Sequence, residues 1–181
     1  MRDDPRSDEQ LIAAINAGDA AAFEALYRRY RDWVAGLALR FTGDHGLALD
    51  VLQETFMYLL QKRPALRLTA RLTTFLYPAV KNLSIAARRK RNRHAPGEAG
   101  LGDLPAREGP PESAREELAA VFSTLPEAQR EVLLMRFADD MRIEEIAAAL
   151  GVPAGTVKSR LYNALKALRD DPKTREFFES G

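Results

Sequence analysis

Apolar residues recur at three- and four-residue spacing along almost the whole chain, the pattern of α-helices that bury one face. Ser7 followed by Gln10 has the form of a capping box and predicts a short helix through Ala17, broken at Gly18. Asp19 can cap the next helix, where Phe23, Leu26, Tyr27, Tyr30, Val34, Leu37, Ala38 and Phe41 make a continuous stripe that Gly43 ends. A third helix spans about Gly46 to Gln61, with Leu49, Leu52, Phe56, Leu59 and Leu60 inward and Gln53 and Glu54 outward. Behind Pro64 comes a basic, Thr-rich loop. The fourth helix then runs from roughly Thr74 to Arg91, burying Leu76, Ala79, Val80, Leu83 and Ala87 and turning Thr74, Lys81, Ser84 and Arg88 outward.

The pattern stops between Ala95 and Glu112, where four prolines and four glycines sit among acidic residues. Such a stretch cannot form a helix interior and reads as a linker. Helical periodicity resumes beyond it. Leu125-Pro126-Glu127 leads into one helix, Ile143 to Leu150 forms a second, and Gly151-Val152-Pro153 turns the chain into a third. Two short helices across a tight Gly turn predict a helix-turn-helix, whose second helix is the kind that enters a DNA major groove. On that helix Val157, Leu161, Leu165 and Leu168 are expected to pack inward, with Thr156, Ser159, Asn163 and Lys166 facing out and Arg160 and Tyr162 on the flanks. The fold class is therefore all-α, as two small helical domains joined by a Pro/Gly-rich linker. We place them at residues 7–94 and 112–170, with the linker at 95–111 and a short tail at 171–181.

Composition matters chiefly through its distribution. The 181 residues carry a formal charge of +1, yet no Asp or Glu occurs from Thr55 through Gly97, against ten Lys and Arg. That segment ends in Arg88-Arg89-Lys90-Arg91-Asn92-Arg93. A basic track beside aromatics such as Phe75 and Tyr77 suits single-stranded nucleic acid, where unpaired bases stack and phosphates pair with cations. For Phe75 core packing is the expected role; for Tyr77 both roles stand open. There are no cysteines, so no disulfide or thiolate metal site is possible, and His45 and His94 lie far apart. No metal, cofactor or catalytic residue is expected: no nucleophile elbow and no Gly-rich phosphate loop occurs. No secretory signal or membrane-length apolar window is present, which makes the cytoplasm the expected location and membrane insertion unexpected.

These pieces, in this order, resemble the bacterial sigma-70 family of RNA polymerase sigma factors, and the two-domain form resembles its extracytoplasmic-function (ECF) group. The sharpest marks are Ala17-Gly18-Asp19 with Phe23-Glu24-Ala25-Leu26-Tyr27, then Leu52-Gln53-Glu54-Thr55-Phe56, then Phe75-Leu76-Tyr77 with Lys81-Asn82-Leu83. Leu125-Pro126 with Arg130-Glu131-Val132-Leu133 and the helix-turn-helix completes the set. The resemblance implies a factor that binds core RNA polymerase through the β′ clamp helices and the β flap. Such a factor recognises −35 and −10 promoter elements, promotes strand opening and directs initiation. It implies polymerase contact at Asp50, Gln53 and Glu54. It implies contact with the single-stranded −10 element at Tyr77, Lys81, Asn82, Ser84, Arg88, Arg89 and Arg91, with the 62–72 loop near a flipped base. Contact with the −35 duplex would come from Thr156, Lys158, Ser159, Arg160, Asn163 and Lys166. An anti-sigma factor or other regulator is a further expected partner.

The chain departs from the family pattern at Phe75, where Trp is usual, at Leu72, often aromatic, and in the loop 63–69, which lacks the usual acidic and aromatic residues. Pro78 falls in the first turn of the −10 helix, which is tolerable only if that helix begins near Leu76 or Tyr77. Two other readings compete. A sigma-like decoy that binds an anti-sigma protein without touching DNA should have lost the basic segment and the polar recognition face, and this chain keeps both. An ordinary helix-turn-helix regulator leaves the Gln53–Glu54 helix and the acidic linker unexplained.

Overall fold

The computed structural model describes residues 4–94, 121–172 and 174. Their regular structure is helical, with no strand among the described residues, and the chain divides into two units, residues 1–105 and 106–181. The linker expected at 95–111, residues 112–120 of the second domain and most of the tail lie outside the described residues.

In the first unit, α1 (Asp8–Asn16) opens on the Ser7 capping box: Ser7 Oγ accepts from the Gln10 N–H and the Gln10 side chain accepts from the Ser7 N–H. Two orphan donors of the first turn are thereby satisfied. α2 (Ala20–Thr42) begins at Asp19, whose carboxylate accepts from the Ala21 and Ala22 N–H groups at 2.8 and 3.1 Å. It ends at Gly43, which takes the left-handed conformation at φ 65°. α3 (His45–Gln61) is capped by Asp44, and α4 spans Leu72–His94. α2 packs against the other three helices, and α3 packs against α4. Leu11, Ile15, Leu26, Leu37, Val51, Leu59, Leu72, Leu76 and Val80 are almost wholly buried between them. Phe56 lies edge-on to Phe23 and Tyr27, with centroids 6.1 and 4.8 Å away. The loop before α4 is pinned by buried Leu66, whose carbonyl accepts from Asn16 Nδ2 at 2.8 Å.

Three expectations fail here for identifiable reasons. α4 starts at Leu72, so Pro78 is its seventh residue and not part of its first turn. A proline ring removes one backbone donor and crowds the carbonyl four residues back. Burial of Leu72, Leu76 and Val80 against two neighbouring helices holds the helix through that defect, since tertiary packing supplies most helical stability. Thr74, expected outward, is buried, and its hydroxyl has no partner. Leu49, expected inward, is 56% exposed, because Ala48, Val51 and Leu52 take the inward arc of α3.

In the second unit, α5 (Glu127–Phe137), α6 (Ile143–Leu150) and α7 (Ala154–Asp170) pack pairwise around Val132, Met135, Met141, Ile146, Val157 and Leu161. Glu145 closes the first turn of α6 by accepting from the Arg142 N–H at 2.7 Å. Gly151 ends α6 at φ 65°, and the Val152 N–H reaches back to the Ala147 carbonyl at 3.0 Å. Pro153 then leads directly into α7. The buried edge of α7 runs through Val157, Leu161 and Ala164, leaving Leu165 47% exposed where it was expected inside. At ~100° per residue a second four-residue step from Leu161 drifts off the seam, while a three-residue step to Ala164 stays on it.

The Gly151 turn is open enough to test by backbone energetics alone. A Cβ placed there meets nothing within 4 Å, so its cost is purely the left-handed conformation. Gly151→Ala is expected to destabilise the second unit by ~1–2 kcal/mol. Gly151→Asn should cost visibly less, because its side chain tolerates that region. Urea unfolding of the three proteins checks the order; equal losses would contradict it.

Candidate functional site

Three helix faces carry the residues singled out from the sequence. On α3, Asp50, Gln53 and Glu54 are exposed as expected. Two apolar residues that sequence reasoning missed accompany them: Leu49 and, 58% exposed, Met57. Leu49, Gln53 and Met57 lie four residues apart and so share a line, with Asp50 and Glu54 beside it. A surface with exposed apolar ends and acidic flanks is suited to bury area against a protein while keeping a charge preference. The i, i+4 alignment with Gln53 was available in the sequence. It was hidden because any helical leucine near a stripe reads first as core.

The face of α4 is rotated from the one expected. Tyr77 is 2% exposed and Ser84 is fully buried, so neither lies on the outer surface. Tyr77, Lys81, Ser84, Arg88 and Arg91 follow one another at four- and three-residue steps, a single line, and that line faces the corner between α2 and α3. Phe41 meets the Tyr77 ring edge-on at 6.0 Å, and Lys81 Nζ sits 5.9 Å from the Phe41 centroid. Arg88 Nη1 donates to the Phe41 carbonyl at 3.2 Å, and Arg91 Nη1 pairs with Asp44 Oδ2 at 2.9 Å. The outward stripe instead runs through Asn82, Ala86, Arg89 and Arg93, with Lys90 and Asn92 also exposed. Ile85, Arg88, Arg89 and Asn92 line a shallow depression on it.

Phe75, expected as core, is half-buried, and its ring lies 21° from parallel to Tyr58 with centroids 6.1 Å apart. Lys62 Nζ stands 4.7 Å over the Tyr58 ring, a cation–π arrangement. This aromatic pair borders the loop bearing the exposed Arg63, Arg67 and Arg71. Tyr58 was not anticipated; its position three residues beyond Thr55 on a buried-looking helix gave no separate signal.

On α7, Lys158, Ser159, Asn163 and Lys166 are exposed, and Thr156 and Arg160 are half-buried at the edges of the same face. Ser159 Oγ donates to the Thr156 carbonyl at 3.0 Å, which fixes its rotamer and leaves its lone pairs outward. Amide, hydroxyl, ammonium and guanidinium groups on one helix face match what base edges and phosphates accept and donate.

Three aspartates of the first unit are held in their charged form by hydrogen bonds. Hydrogen bonds from Arg6 hold the Asp4 carboxyl down at about 2. The Ala22 N–H and then Arg6 lower Asp19, and the Leu47 N–H, with Arg91 nearby, lowers Asp44. Burial, reinforced by a hydrogen bond to Asp8, pushes the Tyr30 hydroxyl upward. For the three aspartates the folded value lies below the unfolded one, so the stability they add is complete above ~4. It is lost as pH falls through the folded values. Thermal melts from pH 5 to pH 2 are expected to show a steadily falling Tm below pH 4, and a flat profile would refute this linkage. Among the described residues no group of three His, Asp or Glu is placed to hold a metal, and no helix is long and apolar enough to cross a membrane.

The chain matches the family model for sigma-70 region 2 over residues 26–94 and that for sigma-70 region 4 over residues 115–168. It is 30% identical over 180 residues to the RNA polymerase sigma-H factor of Pseudomonas aeruginosa, covering 89% of this chain and 91% of that one. It is 33% identical over 164 residues to the ECF RNA polymerase sigma factor SigL of Mycobacterium tuberculosis, covering 87% and 93%. Its fold is similar to that of the sigma factor RpoE solved with the anti-sigma factor NepR from Bartonella quintana, with a TM-score of 0.64 and 24% identity over 82% of this chain and 94% of that one.

Proposed function

Because the chain belongs to the sigma-70 family of RNA polymerase sigma factors, in its ECF group, we propose how its three helix faces divide the work of promoter recognition. The protein is an alternative sigma factor that recognises promoters, and sigma factors act as transcription initiation factors rather than as enzymes. In our reading α3 docks on core polymerase through Asp50, Gln53 and Glu54, with Leu49 and Met57 filling the contact against the β′ clamp helices. On α4 the exposed Asn82, Arg88 and Arg89 follow the −10 strand, Lys81 and Arg91 join them from the half-buried line beside α2 and α3, and the buried Tyr77 and Ser84 shape that line. The Tyr58–Phe75 pair and the basic loop lie where an unstacked base would arrive. The outward face of α7 reads the −35 duplex from Thr156 to Lys166, while the β flap holds the second unit.

The observation that carries this division is the acid-free basic stripe on α4. A duplex-reading helix-turn-helix alone has no use for it, whereas opening DNA requires a groove that holds a displaced strand. Unstacking costs a few kcal/mol per base, and stacking can return ~1–3 kcal/mol for each base captured. Two modest sites then suffice when polymerase fixes their spacing. The work takes place in the cytoplasm, under a protein regulator comparable to the anti-sigma factor bound to the Bartonella protein. Run-off transcription on fragmented genomic DNA, with core polymerase from the same host, tests the reading. Transcript starts sharing two upstream elements at fixed spacing are expected. Binding to core without such starts would overturn it.

A further inference from the structure

The corner that buries the inner line of α4 contains one carboxylate with two tasks. Asp44 Oδ1 accepts from the Leu47 N–H at 2.8 Å and so caps α3, while Oδ2 pairs with Arg91 at 2.9 Å. Its backbone is fixed as well. Buried Thr42 Oγ1 donates to the Ala38 carbonyl at 2.9 Å, lies 3.1 Å from the Asp44 carbonyl, and accepts from the Asp44 N–H. Gly43 makes the turn in the left-handed region, and a Cβ on Gly46 would come within 3.2 Å of Asp44 Oδ1. The carboxylate is therefore delivered to α4 by a rigid corner, not by a flexible surface side chain.

We infer that Asp44 is a stand-in for a backbone phosphate: it occupies Arg91 and withholds that guanidinium from weakly bound nucleic acid, which adds the contact only by displacing it. This rests on the reading of α4 as a nucleic-acid surface. The side chains of Arg91 and Asp44 are 34% and 40% exposed, so the pair is open to exchange and contributes little to stability. Arg91 Nη1 donates to one carboxylate oxygen, Oδ2, and a phosphate oxygen can accept the same charge-assisted hydrogen bond in its place. Arg91 adjoins the stripe of Arg88, Arg89 and Asn92, so the exchange adds a cation to an existing track. Asp44 is in these terms a positioning residue, acting on nucleic acid through Arg91.

The test is fluorescence anisotropy of a short labelled single-stranded oligodeoxynucleotide of mixed sequence, titrated with the full chain across a potassium chloride series. Asp44→Asn keeps the α3 cap, because Asn caps as well as Asp, so the fold is retained. It is expected to bind about 3- to 10-fold tighter at low salt, with the slope of log affinity against log salt steeper by about 0.7, one phosphate on a single strand. Adding Arg91→Gln to Asp44→Asn should return both quantities to the unsubstituted values. A merely structural ion pair would leave the salt slope unchanged in Asp44→Asn, and that result overturns the proposal. A gain that survives in the double variant also overturns it, since the cause would then be the general field and not Arg91. If neither the unsubstituted chain nor Asp44→Asn shows salt-dependent binding, the reading of α4 falls together with the proposal.

Discussion

Replacing Glu54 with lysine is expected to weaken binding to core RNA polymerase by at least about 30-fold, ~2 kcal/mol, while leaving the protein folded. Glu54 is exposed on α3, so the substitution opens no cavity and strands no buried partner. The loss comes from the interface. The outward line of α3 pairs acidic Asp50 and Glu54 with apolar Leu49 and Met57, and apolar contacts near the centre of a docked patch exclude water from the charges beside them. Under the proposed docking, a reversed charge there is left unpaired inside the contact. Surface plasmon resonance with immobilised core enzyme, alongside a thermal melt, separates the two effects. Affinity within threefold of the unsubstituted protein would show that α3 is not the docking helix. Loss of the melt would show that Glu54 has a structural task.

Leu76→Ala is expected to produce the largest loss of stability, ~2–5 kcal/mol, with a fall in Tm of at least ~8 °C for the first unit. Leu76 is fully buried on α4, a helix packed against both α2 and α3. Removing three carbons there forfeits their transfer energy and leaves a void two helices would have to close. α4 is poorly placed to absorb this. It already carries Pro78 in its interior, and the hydroxyls of Thr73, Thr74 and Ser84 are buried without partners. Each such group is a desolvation cost that packing around Leu72, Leu76 and Val80 offsets. Differential scanning calorimetry gives the answer directly, and a loss under 1 kcal/mol would mean that α4 is held by something other than its core face.

The helices, their caps and the division into two units follow from local signals strong enough to survive folding. Ser7 with Gln10, Asp19, Gly43 and Gly151 act through backbone groups within a few residues, so reading them needs no knowledge of what lies across the core. The face of α4 is the opposite case. Its basic residues surround much of the helix, and only the position of Phe41 and Asp44, more than thirty residues earlier in sequence, decides which of them turn inward. Ser84 misled for a related reason: a serine is assigned to the surface, yet this one is enclosed without a hydrogen bond. Leu165 and Leu49 show the limit of counting by fours. Where Ala164 or Ala48 can occupy the seam, the larger neighbour is left on the surface.

The hydrogen bond from Asn16 to the Leu66 carbonyl separates two properties that usually change together. The loop beside the aromatic pair takes its position from a residue fifty places upstream that bears no charge and faces no ligand. On the proposed role of that loop, promoter preference can drift by way of the first helix, with every cation and every stacking ring left as it was. Related factors with identical contact residues would then still select different sequences, and aligning those contacts alone would not explain why.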